Sequence, residues 1–80
     1  MTQSSMPVLA IDITKEMCPM TFVRTRLALD RIKTGEILAV TLRGEEPIRN
    51  VPATATEQGH RILREEQLPD GNTLLLIEKG

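Results

Sequence analysis

The sequence predicts an α/β fold: a two-layer sandwich of order βαβαββ, with a four-stranded mixed sheet and two helices on one face. Three observations carry this reading. Strand-like runs recur at 8–13, 36–42, 60–67 and 73–77, rich in aliphatic and β-branched residues except for the third, which is charged but contains Ile62 and Leu63. The intervals between the first three have helical character, and the last two runs are separated by the turn cluster Pro69-Asp70-Gly71-Asn72. Eighty residues at 40% apolar content allow one small domain, because a chain of this size buries only about 60% of its unfolded surface.

Val8-Leu9-Ala10-Ile11-Asp12-Ile13 reads as the first strand, followed by a loop over 14–17. Pro19 then opens a stretch, 20–33, that contains neither Gly nor Pro: a helix with proline at its first position and Cys18 at its N-cap. Phe22, Thr25, Ala28, Leu29 and Ile32 fall on one stripe that faces the core, and Gly35 supplies the left-handed residue that ends the helix. The run 36–42 is the second strand, parallel to the first through a right-handed crossover. Residues 44–49 read as a polar loop, after which Asn50 caps a short second helix with Pro52 in its first turn and Val51 and Ala55 buried. Gly59 either sits inside that helix at a cost of about 1 kcal/mol or closes it before the third strand; closure suits a strand that begins at His60. The turn cluster makes the last two strands a hairpin.

Composition removes several function classes. Ten basic and 11 acidic residues leave a net charge of −1, so nothing holds a polyanion non-specifically, and Phe22 is the only aromatic residue on which a base could stack. No nucleic-acid partner is expected. The apolar runs are far shorter than the roughly 20 residues a membrane span needs, so no membrane insertion is expected either. Residues 1–7 are polar and lack the pattern of a signal peptide; they read as a disordered tail ahead of a domain over 8–80, and the expected location is cytoplasmic. One cysteine excludes an internal disulfide and fits a reducing compartment. One Cys and one His fall short of the four ligands of a structural zinc site, and no metal is expected. Glu45-Glu46 and Glu65-Glu66 are sequence neighbours whose side chains diverge on an extended chain, and they read as solvated charge. The serines, Ser4 and Ser5, lie in the tail, and the 5 glycines are scattered, which removes a hydrolase triad and a phosphate loop.

Cys18 remains. A thiol at a helix start meets the positive end of the helix dipole and unpaired N–H groups, which stabilise the thiolate and lower its pKa from about 8.5. Lys15 adds positive charge nearby and Glu16 opposes it. The competing reading is that Cys18 is a small buried hydrophobe, as free cysteines frequently are.

Asp12, with Cys18-Pro19 six residues on at the junction of a first strand and first helix, resembles the TusA/SirA-like sulfur-carrier family, and the resemblance runs from about Val8 to Lys79. That family carries a Cys-Pro-x-Pro motif. The resemblance implies that Cys18 is the catalytic residue, holding sulfane sulfur as a persulfide and passing it between sulfur-donor and sulfur-acceptor proteins, with no cofactor. Two positions depart from the pattern: Lys15 stands where the family has glycine, and Thr21 stands in place of the second proline. Cys18-Pro19-Met20-Thr21 is therefore a variant branch, in which Asp12, Lys15, Pro19 and Thr21 support the site and Met20 and Thr21 alter the surface beside the sulfur. A single cysteine cannot resolve its own persulfide to a disulfide, which suits a carrier.

Met17 and Met20 flank Cys18 and offer an apolar rim to a partner. Arg24 and Arg31 share a helix face without an acidic neighbour on it; they either dock an acidic partner or form a solvated face, while Arg26 and Asp30 are spaced to pair. His60 is either a proton donor brought to Cys18 by the fold or a structural histidine. Glu and Lys residues on an edge strand discourage pairing with a second chain, so a monomer is expected. The alternative function is a non-catalytic interaction module of the same fold.

Overall fold

The four runs become strands, β1 at Leu9–Asp12, β2 at Ile37–Leu42, β3 at Arg61–Gln67 and β4 at Thr73–Glu78. Two helices, α1 at Met20–Asp30 and α2 at Glu45–Glu57, complete the order βαβαββ. This computed structural model describes residues 6–17 and 19–80. The strands form one sheet in the order β1-β2-β4-β3, with β1 parallel to β2 and both other pairs antiparallel. Ladder bonds from Val8 N–H to the Ile37 carbonyl (2.9 Å) and from Ile13 N–H to that of Thr41 (3.0 Å) extend the first pairing over the full 8–13 run.

Register explains where the core sits. Leu38 opposes Ile77 and Val40 opposes Leu75, so these four side chains share one face, and Ala28 and Leu29 of α1 and Val51 and Ala55 of α2 pack on it. Both helices cover that face. Each fully buried Leu or Ile there contributes on the order of 1.5–3 kcal/mol. The other face, with Ala39 opposite Leu76 and Thr41 opposite Leu74, carries no helix.

α1 ends at Asp30, three residues earlier than 20–33. Arg31 and Ile32 donate N–H bonds three residues back, to Ala28 (3.1 Å) and Leu29 (3.3 Å), tightening the last turn and turning Ile32 into the core. Gly35 does not end the helix. Its φ of +90° belongs to the next turn, where its N–H reaches the Lys79 carbonyl at 2.8 Å.

α2 departs furthest from expectation, because 44–49 is helix and not loop. Gly44, with φ +99°, is the N-cap; Asn50 is not. Glu45 and Glu46 sit in the first turn, favourable beside the helix dipole, and Pro47 occupies a turn whose N–H groups lack intrahelical acceptors in any case. Pro52 lies inside the helix. An interior proline costs about 3 kcal/mol through the missing hydrogen bond and ring clash. Burial of Val51 and Ala55 and packing of Ile48 against the core offset it. Gly59 (φ +94°) does close α2: His60 N–H bonds the Ala55 carbonyl and Gly59 N–H that of Thr56, both at 3.0 Å, the Schellman arrangement. Among the described residues, no helix is long and apolar enough to cross a membrane.

Candidate functional site around the loop into α1

The chain leaves β1 at Asp12 and turns at once. The Asp12 carboxylate accepts hydrogen bonds from Thr14 N–H (2.9 Å) and Thr14 Oγ1–H (2.7 Å), an Asx turn that sets the path of the loop. The backbone bond first, then the hydroxyl bond and the nearby Lys15 charge, hold the Asp12 carboxyl below its ordinary value of 3.8 against a small opposing desolvation. Glu16 N–H returns to the Ile13 carbonyl at 3.1 Å.

Pro19, not Cys18, is the N-cap of α1, and its carbonyl accepts from both Phe22 N–H (3.1 Å) and Val23 N–H (3.2 Å). Met20 N–H donates to the Met17 carbonyl at 2.6 Å, tying together the residues on either side of Cys18. Cys18 itself lies outside the described residues, as do Met1 to Ser5 of the expected tail. The first turn of α1 contains no acidic residue. Met17 (79% exposed) and Met20 (42%) present apolar surface on both sides of the Cys18 position.

Thr21 is buried, at 1% exposure, and so does not alter the outer surface as its sequence position suggested. At 100° per residue it falls in line with Thr25, Ala28 and Ile32, the row that faces the sheet, and its carbonyl accepts from Thr25 Oγ1 at 2.8 Å. Glu16, Met17, Thr21 and Phe22 line an open cleft of about 290 Å³ whose opposite wall is Glu46, Pro47 and Asn50 of α2. The N-terminus of α2 is thus part of this site. Sequence reasoning missed it, although an acidic pair followed by proline is a helix-start signal.

Arg24 does have an acidic neighbour. Glu16, from the loop, reaches Arg24 Nη1 at 3.3 Å and fastens loop to helix, a partly exposed pair worth about 0.2–1 kcal/mol. The separation of eight residues hid it from a helix-spacing argument. Arg31 is exposed and, among the described residues, in no ion pair. Arg26 and Asp30 form no ion pair; they border a shallow pocket with Gln58 and His60. His60 follows the C-terminal end of α2, where its Nδ1 accepts from Gly80 N–H at 3.1 Å. The 13 residues of α2 span about 20 Å, so His60 lies at the opposite end of the helix from Glu46 and Pro47 and does not approach the cleft. Among the described residues, no three of His, Cys, Asp and Glu group as metal ligands.

Comparison with known proteins places this geometry. The family model for sulfurtransferase TusA matches residues 9–79. A candidate sulfur carrier protein from Archaeoglobus fulgidus is 39% identical over 69 residues, covering 86% of this chain and 78% of that protein. The candidate sulfur carrier YedF of Escherichia coli K12 is 36% identical over 74 residues, 91% of this chain and 94% of its own. In fold, the crystal structure of a SirA-like protein from Desulfitobacterium hafniense superposes with a TM-score of 0.79 at 20% identity, covering 90% of this chain and 97% of that one. With a family model spanning nearly its whole length and relatives above one-third identity, the chain belongs to the TusA sulfurtransferase family.

Proposed function

We propose that this protein is a sulfur carrier in which Cys18 accepts sulfane sulfur as a persulfide from a donor protein and delivers it to an acceptor protein. The observation that carries the reading is the positive end of α1, which comes directly after Cys18-Pro19 and has no acidic residue in its first turn. A thiolate ahead of such a turn is stabilised by the helix dipole. Relatives named as candidate sulfur carriers support the same role.

In loading, the Cys18 thiolate attacks the outer sulfur of the donor persulfide. A new S–S bond forms on Cys18, the donor S–S bond breaks, and the donor thiolate leaves with the electron pair. In delivery, an acceptor thiolate attacks the terminal sulfur of Cys18, and the Cys18 thiolate is regenerated. Neither step needs a metal or an external oxidant. Asp12, through Thr14, sets the loop path; Lys15 adds positive charge beside it, Pro19 starts α1, and Thr21 forms the cleft wall. Met17, Met20, Arg24 and Arg31 meet the partner. The protein works as a monomer in the cytoplasm, where a lone thiol stays reduced.

Intact-protein mass after incubation with a sulfane-sulfur donor, thiosulfate with a rhodanese or cysteine with a desulfurase, tests this reading. The wild type gains one sulfur mass that reductant removes, and Cys18→Ser gains none. An unchanged wild-type mass with donors that load a control carrier overturns the proposal in favour of a non-catalytic interaction module.

A further inference from the structure

The outer strands β1 and β3 close the sheet differently. β3 carries Arg61, Arg64, Glu65 and Glu66 and shifts register between Ile62 and Arg64, the features that keep an edge from pairing with another chain. β1 has neither protection. Leu9-Ala10-Ile11-Asp12 bears one charge, at its end, and pairs with β2 in unbroken register. Ile13 N–H donates to Thr41 of β2, and a parallel ladder engages alternate residues, so in the register that pairs Leu9 with Leu38 and Ile11 with Val40 the backbone groups of Leu9 and Ile11 face β2 while the N–H and C=O groups of Ala10 and Asp12 point out of the sheet. β1 is an outer strand of the sheet, and among the described residues no strand lies on that side.

α1 overhangs this edge. It packs on β1 and β2, while α2 packs on β3 and β4. Phe22, Thr25, Arg26 and Leu29 line the groove shared with α2; at 100° per residue, Met20, Arg24 and Arg31 lie about half a turn away, on the flank above the free edge of β1. Arg24 is held by Glu16, and Arg31 has no ion-pair partner among the described residues.

We infer that the free edge of β1 receives an extended, acidic segment of a partner protein, which adds to the sheet as a fifth strand beneath Arg24 and Arg31. The inference rests on the sulfur-carrier reading for its purpose, because β1 runs directly into the loop that carries Met17 and an added strand brings the partner alongside it. Side chains alternate across such a strand. One row meets the arginines and is acidic, while the other continues the uncovered sheet face beside Val8 and Ala10 and is apolar. A second copy of this chain does not fit: two-fold pairing of β1 with β1 sets Arg24 and Arg31 against the same residues of the other copy.

The test is an NMR titration of the isotope-labelled full chain with a synthetic peptide alternating valine and glutamate. Amide protons of Ala10 and Asp12 exchange at least about tenfold more slowly in the complex. The same peptide methylated at alternate backbone nitrogens loses that protection, and Arg24→Gln with Arg31→Gln weakens binding about five- to tenfold. Ala10 and Asp12 amides that stay unprotected at saturating peptide overturn the inference. Protection that rises with protein concentration in the absence of peptide also overturns it, by assigning the edge to a second copy. Cys18→Ser binds the peptide as the wild type does, so the two readings separate: sulfur loading with an unresponsive edge removes the docking site alone, and a responsive edge without sulfur loading removes the persulfide alone.

Discussion

The two helices leave the same end of the sheet, from the C-terminal ends of the parallel strands β1 and β2, and they begin in opposite ways. α2 starts at Gly44 in the left-handed region and places Glu45 and Glu46 in its first turn, so its positive end is met by its own carboxylates. Neither helix has a side-chain cap, but α1 starts at Pro19 with no acidic residue in its first turn. The same helix field is used for stability in one case and left open in the other, immediately after Cys18. A helix start that neglects its own stabilisation is a place to look for an anion the helix must hold transiently.

Five substitutions probe this contrast. Gly44→Ala forces an alanine into φ near +99° and costs about 1–2 kcal/mol in urea unfolding; the added Cβ meets Pro47 at an ordinary 3.5 Å, so the loss comes from the backbone. Met20→Glu gives α1 the acidic first turn that α2 has. The Cys18 pKa rises and alkylation at neutral pH slows about three- to fivefold, while stability rises by about 0.3–1 kcal/mol. An unchanged alkylation rate would show that the field of α1 does not reach the thiol. Glu45→Gln and Glu46→Gln each lower stability by about 0.3–1 kcal/mol at low salt, with the difference shrinking as salt is added. The smallest effect is at Asp12. Its folded-state pKa lies below 3.8, so its stabilisation is present above that value and is lost as pH falls through the lowered one. Asp12→Asn therefore flattens the acid limb of the stability curve measured by unfolding between neutral pH and about pH 2.

Much of the fold was legible because its signals are local. Alternation located β1, a β-rich run between Gly35 and Gly44 located β2, the Pro-Asp-Gly-Asn turn located the hairpin, and Gly59 located the end of α2. The helix starts and stops were harder. Pro52 read as a first-turn residue because an interior proline is costly in isolation; only burial of Val51, Ala55 and Ile48 makes the longer helix favourable. Likewise Gly35 resembles a helix terminator in sequence, while in the fold it joins the turn that binds Lys79. At the site, Asp12, Pro19, Met17 and Met20 could be named from sequence. Glu16 as the partner of Arg24 could not, because the two are joined across a loop and not along one helix.

By itself, the sequence determined the strand and turn pattern, the single thiol and its place ahead of a proline-started helix, since each depends on residues within a turn or two of one another. Tertiary structure alone decided that the α2 start walls the cleft beside Met17, that Thr21 is buried, that His60 stands at the far end of α2, and that β1 has a bare edge beneath Arg24 and Arg31. The physical reason is that these relations arise from the parallel crossover and the packing of two helices on one sheet face. Those contacts join residues distant in sequence, and no local preference encodes which of them will meet.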